Sequence, residues 1–258
     1  MAIRMIATDL DRTLLRSDIT ISDYTVSILN SLSDKGILVA FATSRSERSS
    51  RRFVERFNPD VFVSNGGAVV RYGGETIYSA DIPQNVANDI IASCVGNSSI
   101  LHITVESSNG YFSSKLEDPS WVGWVDYAHG ITVDFKQPID YGSVYKLTIE
   151  ADEPSVMADI MAGHDVSVLR FSGEDWYQIK RCDIDKAVGI QRAAEFFGFT
   201  LNEVAAFGDD TNDLEMLKYC GVSVAVDNAL GEIKAVSDHI CASNDEDGVA
   251  HWLEQNLL

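Results

Sequence analysis

The segment that decides the fold is Met5-Ile6-Ala7-Thr8-Asp9-Leu10-Asp11-Arg12-Thr13. Its apolar beginning has the length of a β-strand and runs directly into two aspartates separated by one residue. A near-continuous apolar strand is typical of a parallel sheet whose two faces are covered by helices. Ligands of such open α/β sheets bind beyond the carboxyl ends of the strands. The segment therefore predicts a buried strand that presents Asp9 and Asp11 to a binding site.

Alternating strand and helix patterns continue outward from this segment. Ser22 is a predicted helix cap, Gly36 ends that helix, and Ile37–Ala42 is a second apolar run. A basic helical stretch follows, and Val61–Val63 is a third short strand. This strand-helix-strand-helix-strand order is typical of a doubly wound parallel sheet, so we predict an α/β fold with a Rossmann-like core.

The middle of the chain has a different pattern. Residues 83–175 contain alternating strands, such as His102–Glu106 and Tyr145–Glu150, together with two predicted helices. Alternation of this kind indicates an α+β domain with an antiparallel sheet. The α/β rhythm returns towards the C-terminus. We therefore expect a discontinuous core domain over residues 1–82 and 176–258, with a smaller α+β domain inserted over residues 83–175.

The composition restricts the partners. The chain has 258 residues, with 20 lysines and arginines against 39 aspartates and glutamates, for a formal net charge of −19. Such a charge argues against a protein that holds nucleic acid or an anionic membrane electrostatically. No apolar run approaches a membrane span, and the first residues do not form a secretory signal. The cysteines form no CxxC pair. We expect a cytoplasmic protein, a monomer or a weak homodimer, without a nucleic-acid or membrane partner.

Carboxylates gather at the predicted strand ends. A late strand runs into Gly208-Asp209-Asp210-Thr211-Asn212-Asp213. Together with the first strand it supplies up to five acidic groups, namely Asp9, Asp11, Asp209, Asp210 and Asp213. Two unit charges about 4 Å apart repel by about 4 kcal/mol at an effective dielectric constant of 20. Such a cluster requires a cation, and ligands that are all oxygen select a hard one, which points to Mg²⁺.

The remaining polar groups suit a phosphate. They are the hydroxyl of Thr43, the backbone N–H groups around Thr43 and Ser44, and the ammonium of Lys186. Taken singly, each aspartate is better explained as a helix cap or a solvated loop residue than as a metal ligand. Their joint occurrence at strand ends favours a metal-assisted phosphate site.

Four stretches stand in a characteristic order: Asp9-Leu10-Asp11-Arg12-Thr13, Ala42-Thr43-Ser44-Arg45, Lys186, and Gly208 to Asp213. They resemble the four motifs of the haloacid dehalogenase-like (HAD) hydrolases, the first of which is DxDxT and the last GDxxND. Three further stretches resemble the Cof-type subgroup of sugar-phosphate phosphatases, namely Asn65-Gly66-Gly67, residues 224–229 and Asn244-Asp245-Glu246-Asp247-Gly248-Val249. The resemblance implies that the inserted α+β domain is a cap domain.

The resemblance also implies an activity. It is a Mg²⁺-dependent phosphatase that acts on a small phosphorylated metabolite, with sugar phosphates as the leading class. Asp9 is implied to attack the substrate phosphorus and to become an aspartyl-phosphate. Asp11 is implied to protonate the leaving alkoxide and then to take a proton from the water that hydrolyses this intermediate.

Ligand-binding roles follow from the same resemblance. The implied metal-binding residues are Asp9, Asp11 through its backbone carbonyl, Asp209 and, in a supporting role, Asp213. The implied phosphate-binding residues are Thr43, Ser44, Lys186 and Asn212.

The chain departs from the family pattern at three positions that are usually glycine. These are Arg12, Ser44 and Ala187. Arg12 brings a large cation beside the acid/base, where it either points to solvent or reaches the substrate or the cap domain. The other two changes are small, and no central chemical group is missing.

Two other functions stay open. A phosphomutase of the same architecture, similar to phosphomannomutases, would return the phosphoryl group to a second hydroxyl instead of to water. A non-catalytic phosphate sensor would use the same pocket but would not need Asp11 as an acid/base. Release of free phosphate separates the phosphatase from the mutase. Loss of turnover with intact binding in Asp11→Asn separates it from the sensor.

Overall fold

The structure, a computed structural model, describes residues 2–115, 130–170 and 175–258. It divides the chain into two compact units. The core unit is Met1–Ser79 together with Asp185–Leu258, and the inserted unit is Ala80–Ile184.

The strands and helices are numbered here in chain order. The strands are β1 (Met5–Thr8), β2 (Leu38–Ala42), β3 (Val61–Ser64), β4 (Val69–Tyr72), β5 (Glu75–Ser79), β6 (Ile100–Ser107), β7 (Gly110–Ser113), β8 (Ile131–Thr132), β9 (Val144–Ala151), β10 (Val166–Arg170), β11 (Trp176–Arg181), β12 (Val204–Gly208), β13 (Val222–Val226) and β14 (His239–Cys241). The helices are α1 (Asp23–Ser33), α2 (Glu47–Arg56), α3 (Gln84–Cys94), α4 (Pro154–Met161), α5 (Lys186–Phe196), α6 (Leu214–Tyr219), α7 (Gly231–Val236) and α8 (Gly248–Leu257). Within the described ranges, no helix has both the length and the apolar character that crossing a bilayer requires.

The core unit contains an eight-stranded sheet in the order β14-β13-β12-β1-β2-β3-β4-β5. The six strands from β14 to β3 run parallel, and β4 and β5 continue the sheet as antiparallel strands. In the register of β1, Thr8 pairs with Phe207 on one side and with Phe41 on the other. The strand order therefore reverses at β1, and Asp9 follows directly at the switch point where open α/β sheets bind ligands.

Local sequence explains the elements around β1. Its residues Met5, Ile6 and Ala7 are fully buried, as a strand covered on both faces requires. The side chain of Ser22 caps α1 by accepting a hydrogen bond from the Thr25 N–H at 2.9 Å. The prediction of an α/β fold with a parallel-sheet core is confirmed.

The inserted unit contains a six-stranded sheet in the order β10-β11-β9-β6-β7-β8. Its strands pair antiparallel except for β7 and β8, which are parallel. Helices α3 and α4 supply Ile90 and Ile160 to a hydrophobic core that also contains Leu147 and Ile149 of β9. This unit therefore has a core of its own.

Both boundaries of the inserted unit differ from the sequence prediction. The prediction extended the first core segment to residue 82, but that segment ends at Ser79, and Ile82 is buried in the core of the inserted unit. The prediction began the second core segment at residue 176, but β11 pairs antiparallel with β9 and β10 of the inserted unit. Its alternate residues Tyr177 and Ile179 are buried in the core of that unit. Because burial there accounts for β11, the chain returns to the core unit only at Asp185.

Candidate active site

A buried lysine connects the acidic residues at the end of the core sheet. Lys186 is the first residue of α5, and only 1% of it is exposed. Its Nζ donates to Asp9 Oδ1 at 2.6 Å, to Asp213 Oδ1 at 2.7 Å and to Asn212 Oδ1 at 3.3 Å. An ammonium has three donors, so each reaches a different side chain.

A close backbone approach sets the position of Lys186. Asp185 caps α5 by accepting from the Val188 N–H at 2.9 Å. Gly67 lies against this cap, because a Cβ at Gly67 would be 1.8 Å from the carbonyl oxygen of Asp185. Only glycine fits there, so the Asn65-Gly66-Gly67 motif allows α5 to begin beside the end of β3.

Asp213 anchors the loop that follows β12. It is fully buried, and its Oδ2 accepts from the N–H of Asp209 at 3.0 Å and from that of Asp210 at 3.2 Å. A Cβ at Gly208 would lie 2.5 Å from the Cβ of Asp213, so the glycine makes room for this turn. With Lys186 on its other oxygen, Asp213 is occupied by contacts within the protein, which suits the supporting role predicted for it.

Asp209 completes a cluster of three buried carboxylates. One oxygen each from Asp9, Asp209 and Asp213 lie within 4.8 Å of one another. Thr13 Oγ1 donates to Asp209 Oδ1 at 2.9 Å, so the last residue of the DxDxT motif orients the aspartate that follows β12. The first and fourth motifs thus meet at the end of β1.

The electrostatics of this cluster are unfavourable without a further cation. Burial, followed by the charge of Asp213, raises the pKa of Asp209 to about 7. Burial also raises the pKa of Asp9 well above its ordinary value, against the opposing effect of Lys186. Burial alone would lower the pKa of Lys186, but Asp213 and Asp9 outweigh it and hold that pKa above its ordinary value. The protein charges alone therefore leave part of the negative charge uncompensated.

The donor set of the cluster fits a divalent metal ion. Three ionised carboxylates and one ammonium leave two negative charges, which a dication would balance. All the candidate metal-ligand atoms of this cluster are carboxylate oxygens, the ligand type that Mg²⁺ prefers. Asp9 and Asp209 are the natural carboxylate ligands, since both oxygens of Asp213 already accept hydrogen bonds.

Asp11 is more exposed than the buried carboxylates and is held by an arginine. Its side chain is 41% exposed. Arg45 Nε donates to Asp11 Oδ2 at 2.7 Å, and Arg45 Nη2 donates to Oδ1 at 2.6 Å. The motifs assign no role to Arg45. The sequence signal for such a role is an arginine after the second strand, beside a strand that ends in aspartates.

The residues predicted to bind phosphate lie at the same edge of the sheet. Ser44 Oγ accepts from Asn212 Nδ2 at 3.2 Å, which links the second motif to the fourth. Thr43 Oγ1 accepts from the Arg45 N–H at 3.1 Å. The N–H of Thr43 donates to the carbonyl of Val63 at 2.9 Å, so this donor extends the sheet and is not the phosphate donor that we expected.

Arg12 adopts the backbone conformation that the usual glycine would favour. Its φ is +60°, in the left-handed region, and the residue is exposed. The left-handed backbone is therefore strained by the large side chain at this turn.

All the predicted site residues lie in the core unit, where hydrogen bonds join them into one group around Lys186 and another around Arg45.

Comparisons with known proteins agree with this geometry. A family model described as haloacid dehalogenase-like hydrolase matches residues 6–253. A curated 5-amino-6-(5-phospho-D-ribitylamino)uracil phosphatase of Bacillus subtilis (strain 168) is 29% identical over 263 residues, covering 97% of this chain and 96% of the relative. An HMP-PP phosphatase of Cronobacter sakazakii (strain ATCC BAA-894) is 26% identical, covering 97% and 94%.

A solved structure gives the same result for the fold. A haloacid dehalogenase-like hydrolase from Bacteroides thetaiotaomicron matches with a TM-score of 0.84 and 25% identity, covering 98% of this chain and 99% of that one. The family resemblance inferred from the motifs is confirmed. The chain belongs to the haloacid dehalogenase-like hydrolases, of the Cof type.

Proposed function

We propose that this hydrolase is a Mg²⁺-dependent phosphatase that works through an aspartyl-phosphate on Asp9. One observation carries the proposal: buried Lys186 contacts Asp9 at 2.6 Å inside a cluster of three buried carboxylates. This arrangement provides a nucleophile together with the positive charge that a phosphate dianion needs before a carboxylate can approach it. The curated relatives described above are named phosphatases, which supports the same activity.

The substrate class is a small phosphorylated sugar or polyol. The Bacillus subtilis relative is named for a substrate that carries a phosphorylated ribityl chain, and it aligns with nearly the whole length of this protein. A phosphate ester of an alkyl alcohol has a poor leaving group, so such a substrate requires an acid to protonate the departing oxygen. Asp11 supplies that acid.

Asp9, Asp209 and the backbone carbonyl of Asp11 would hold the metal, while Asp213 anchors their loop. When bound, Mg²⁺ would neutralise charge on the phosphate and orient its oxygens. Lys186 supplies the fixed positive charge beside Asp9. The hydrogen bonds of Lys186 to Asp9, Asp213 and Asn212 hold this ammonium in place before the substrate binds.

The reaction divides into two displacements. In the first, a carboxylate oxygen of Asp9 forms a bond to phosphorus, the ester P–O bond breaks, and Asp11 gives its proton to the leaving oxygen. In the second, Asp11 takes a proton from a water whose oxygen attacks the phosphorus. The bond between Asp9 and phosphorus then breaks, inorganic phosphate leaves and Asp9 is restored.

A phosphate-release screen over phosphorylated sugars and polyols, with Mg²⁺ and with a chelator, tests this proposal. We expect metal-dependent release by the parent protein, no turnover by Asp9→Asn or Asp11→Asn, and near-parent turnover by Asp210→Asn. Transfer of the phosphoryl group to a second hydroxyl would indicate a mutase, and binding without any turnover would indicate a sensor. Turnover that survives complete chelation would contradict the metal requirement. The cytoplasmic location and the monomeric or weakly dimeric state stay predictions.

A further inference from the structure

Two asparagines outside the reacting groups tie the C-terminal part of the core unit to the loop that carries Asp11. Asn228 Nδ2 donates to the carbonyl oxygen of Arg12 at 2.7 Å, and Asn228 Oδ1 accepts from the N–H of Asn244 at 2.9 Å. Asn244 Nδ2 donates in turn to the carbonyl oxygen of Leu15 at 3.0 Å. We call Asn228 and Asn244 the asparagine clamp. It grips the acid/base loop at two backbone carbonyls.

The clamped loop has an unusual backbone. Leu10–Leu14 form one wide turn, closed by a hydrogen bond from the Leu15 N–H to the Leu10 carbonyl at 2.8 Å. Inside it, Asp11 leaves helical geometry with φ −71° and ψ 121°, and Arg12 follows with φ +60°. A residue other than glycine is strained in the left-handed region, so such a turn persists only where surrounding contacts hold it. The clamp supplies such a contact at Arg12 itself.

A second tie holds the far end of the same loop. Asp247 accepts from Arg16 Nη2 at 2.6 Å and from Arg16 Nε at 3.2 Å. The same carboxylate accepts from Thr25 Oγ1 at 3.1 Å, which connects it to α1. Asp245 accepts from both the N–H and the hydroxyl of Ser17 at 2.8 Å. Residues of the Asn244 to Val249 motif therefore contact this loop at Leu15, Arg16 and Ser17.

We propose that the asparagine clamp is a positioning device for Asp11, an inference that rests on the proposed acid/base role of this residue. Asp11 lies in the wide turn and not in a strand or helix, so the direction of its side chain depends on what holds the turn. Arg45 holds the carboxylate, and the clamp holds the peptide that follows it. Asn228 acts through the backbone and needs no contact with the substrate.

The test compares two leaving groups. Protonation by Asp11 is needed when an alkoxide leaves, but hardly at all when the weakly basic p-nitrophenolate leaves. The ratio kcat/KM reports the steps up to departure of the leaving group, so it isolates this difference. The variants are Asn228→Ala and Asn228→Asp. The second retains the acceptor for Asn244, replaces the donor to Arg12 with an acceptor and adds a negative charge. Asn256→Ala is the matched control, because Asn256 Nδ2 also donates to a backbone carbonyl, that of Trp252, at 2.8 Å.

We expect both Asn228 variants to lose about 10- to 100-fold in kcat/KM on the best sugar or polyol phosphate, a part of the roughly 10²- to 10⁴-fold that general acid catalysis contributes. On p-nitrophenyl phosphate the loss should stay below about 3-fold. Asp11→Asn should show the extreme of this selectivity, with no detectable release from the sugar or polyol phosphate and a measurable kcat/KM on p-nitrophenyl phosphate. Asn256→Ala should match the parent on both substrates. Asn228 is only half-buried, and the isosteric Asn228→Asp retains the shape of the side chain if the alanine variant unfolds in urea too readily for assay.

The outcomes separate this inference from the proposed function. Equal losses on both substrates, or no loss on either, would overturn the positioning role while leaving the phosphatase intact, provided that Asp11→Asn is selective. A parent protein that hydrolyses neither substrate, or an Asp11→Asn variant equal to the parent, would overturn the proposed function, and the positioning role with it.

Discussion

Arg45 binds both carboxylate oxygens of Asp11, with N–O distances of 2.7 and 2.6 Å. The two N–H groups of the guanidinium fork match the two oxygens, a geometry that lysine cannot reproduce. Arg45 is itself held, since its guanidinium carbon lies 5.3 Å from the centroid of the Phe53 ring. The loop after β2 therefore holds Asp11 as a carboxylate, the form that takes a proton from water in the second displacement. One of the two contacts with Arg45 must open before Asp11 carries a proton to the leaving oxygen.

Substitution of Arg45 should slow turnover without unfolding the protein. We expect Arg45→Lys to lower kcat on a sugar or polyol phosphate by about tenfold or more, because Asp11 loses its fixed orientation while a positive charge remains nearby. The control is Arg192→Lys, which alters an exposed pair with Glu195 at 2.9 Å. Equal kcat values for Arg45→Lys and the control would refute the orienting role.

Removal of the buried lysine should cost both activity and stability. Lys186→Gln leaves Asp9 and Asp213 buried without their cation, and breaking a buried pair in this way costs about 3–5 kcal/mol. Urea unfolding in the presence of a chelator measures the loss. Lys218→Gln, which removes an exposed pair with Glu215, should cost no more than about 1 kcal/mol. A Lys186→Gln protein as stable as this control would show that the carboxylates relieve their repulsion in another way.

Metal binding should stabilise the folded protein through Asp209. A ligand that binds only the native state at 100 times its Kd adds about 2.7 kcal/mol, so Mg²⁺ should raise the Tm of the parent. Asp209→Asn removes one ligand charge from the buried cluster and should abolish most of this increase. Asp210→Asn is the matched control, because Asp210 accepts from the Thr211 N–H and asparagine caps equally well. The prediction fails if both variants respond to Mg²⁺ alike.

The left-handed backbone of Arg12 predicts an unusual order of stability. Both Arg12→Ala and Arg12→Gly remove the side chain, but only glycine adopts a φ of +60° without strain. We therefore expect the glycine variant to be the more stable by about 1 kcal/mol in urea unfolding. At Arg192, inside α5, the same comparison should reverse, because alanine favours a helix interior over glycine by about 1 kcal/mol. The same order at both positions would contradict the assigned backbone conformation.

A buried histidine should make the stability of the protein fall in mild acid. His102 is 2% exposed, its Nε2 lies 2.7 Å from Ser113 Oγ, and its ring packs edge-on against Trp176. Burial, followed by the charge of Lys115, lowers the pKa of His102 to about 4. The unfolded chain takes up a proton near pH 6.5, whereas the folded state resists protonation down to about pH 4. Stability is therefore present above pH 6.5 and is lost as the pH falls towards 4, by at most about 3 kcal/mol.

Urea unfolding at a series of pH values checks this prediction. His102→Gln removes the titrating group and should flatten the dependence between pH 6.5 and 4. His164→Gln, at a half-buried position in the same unit, is the matched substitution with which His102→Gln is compared. Parallel curves for the parent and His102→Gln would assign the acid sensitivity to other residues.

Much of the core could be predicted because its signals are local. The apolar run of β1, the Ser22 cap and the apolar run of β2 each depend on neighbours in sequence, and each lies where the pattern placed it. Elements with weak local signals were missed. β14 is three residues long and largely exposed, and β11 alternates like any sheet strand, so its pattern does not tell which sheet it joins.

By itself, the sequence determined which groups would meet. Apolar strands that end in Asp9, Thr43 and Asp209 bring these residues to one edge of a parallel sheet, since the hydrophobic burial of each strand forces its polar end outward. Tertiary structure alone decided how those groups are used. Arg45 grips Asp11, Val63 occupies the N–H of Thr43, and Asn228 holds the carbonyl of Arg12 across 216 residues of sequence. These contacts join loops that are far apart in sequence. Side chains in such loops can meet only after the fold has brought the loops together, so the local sequence does not predict the contacts.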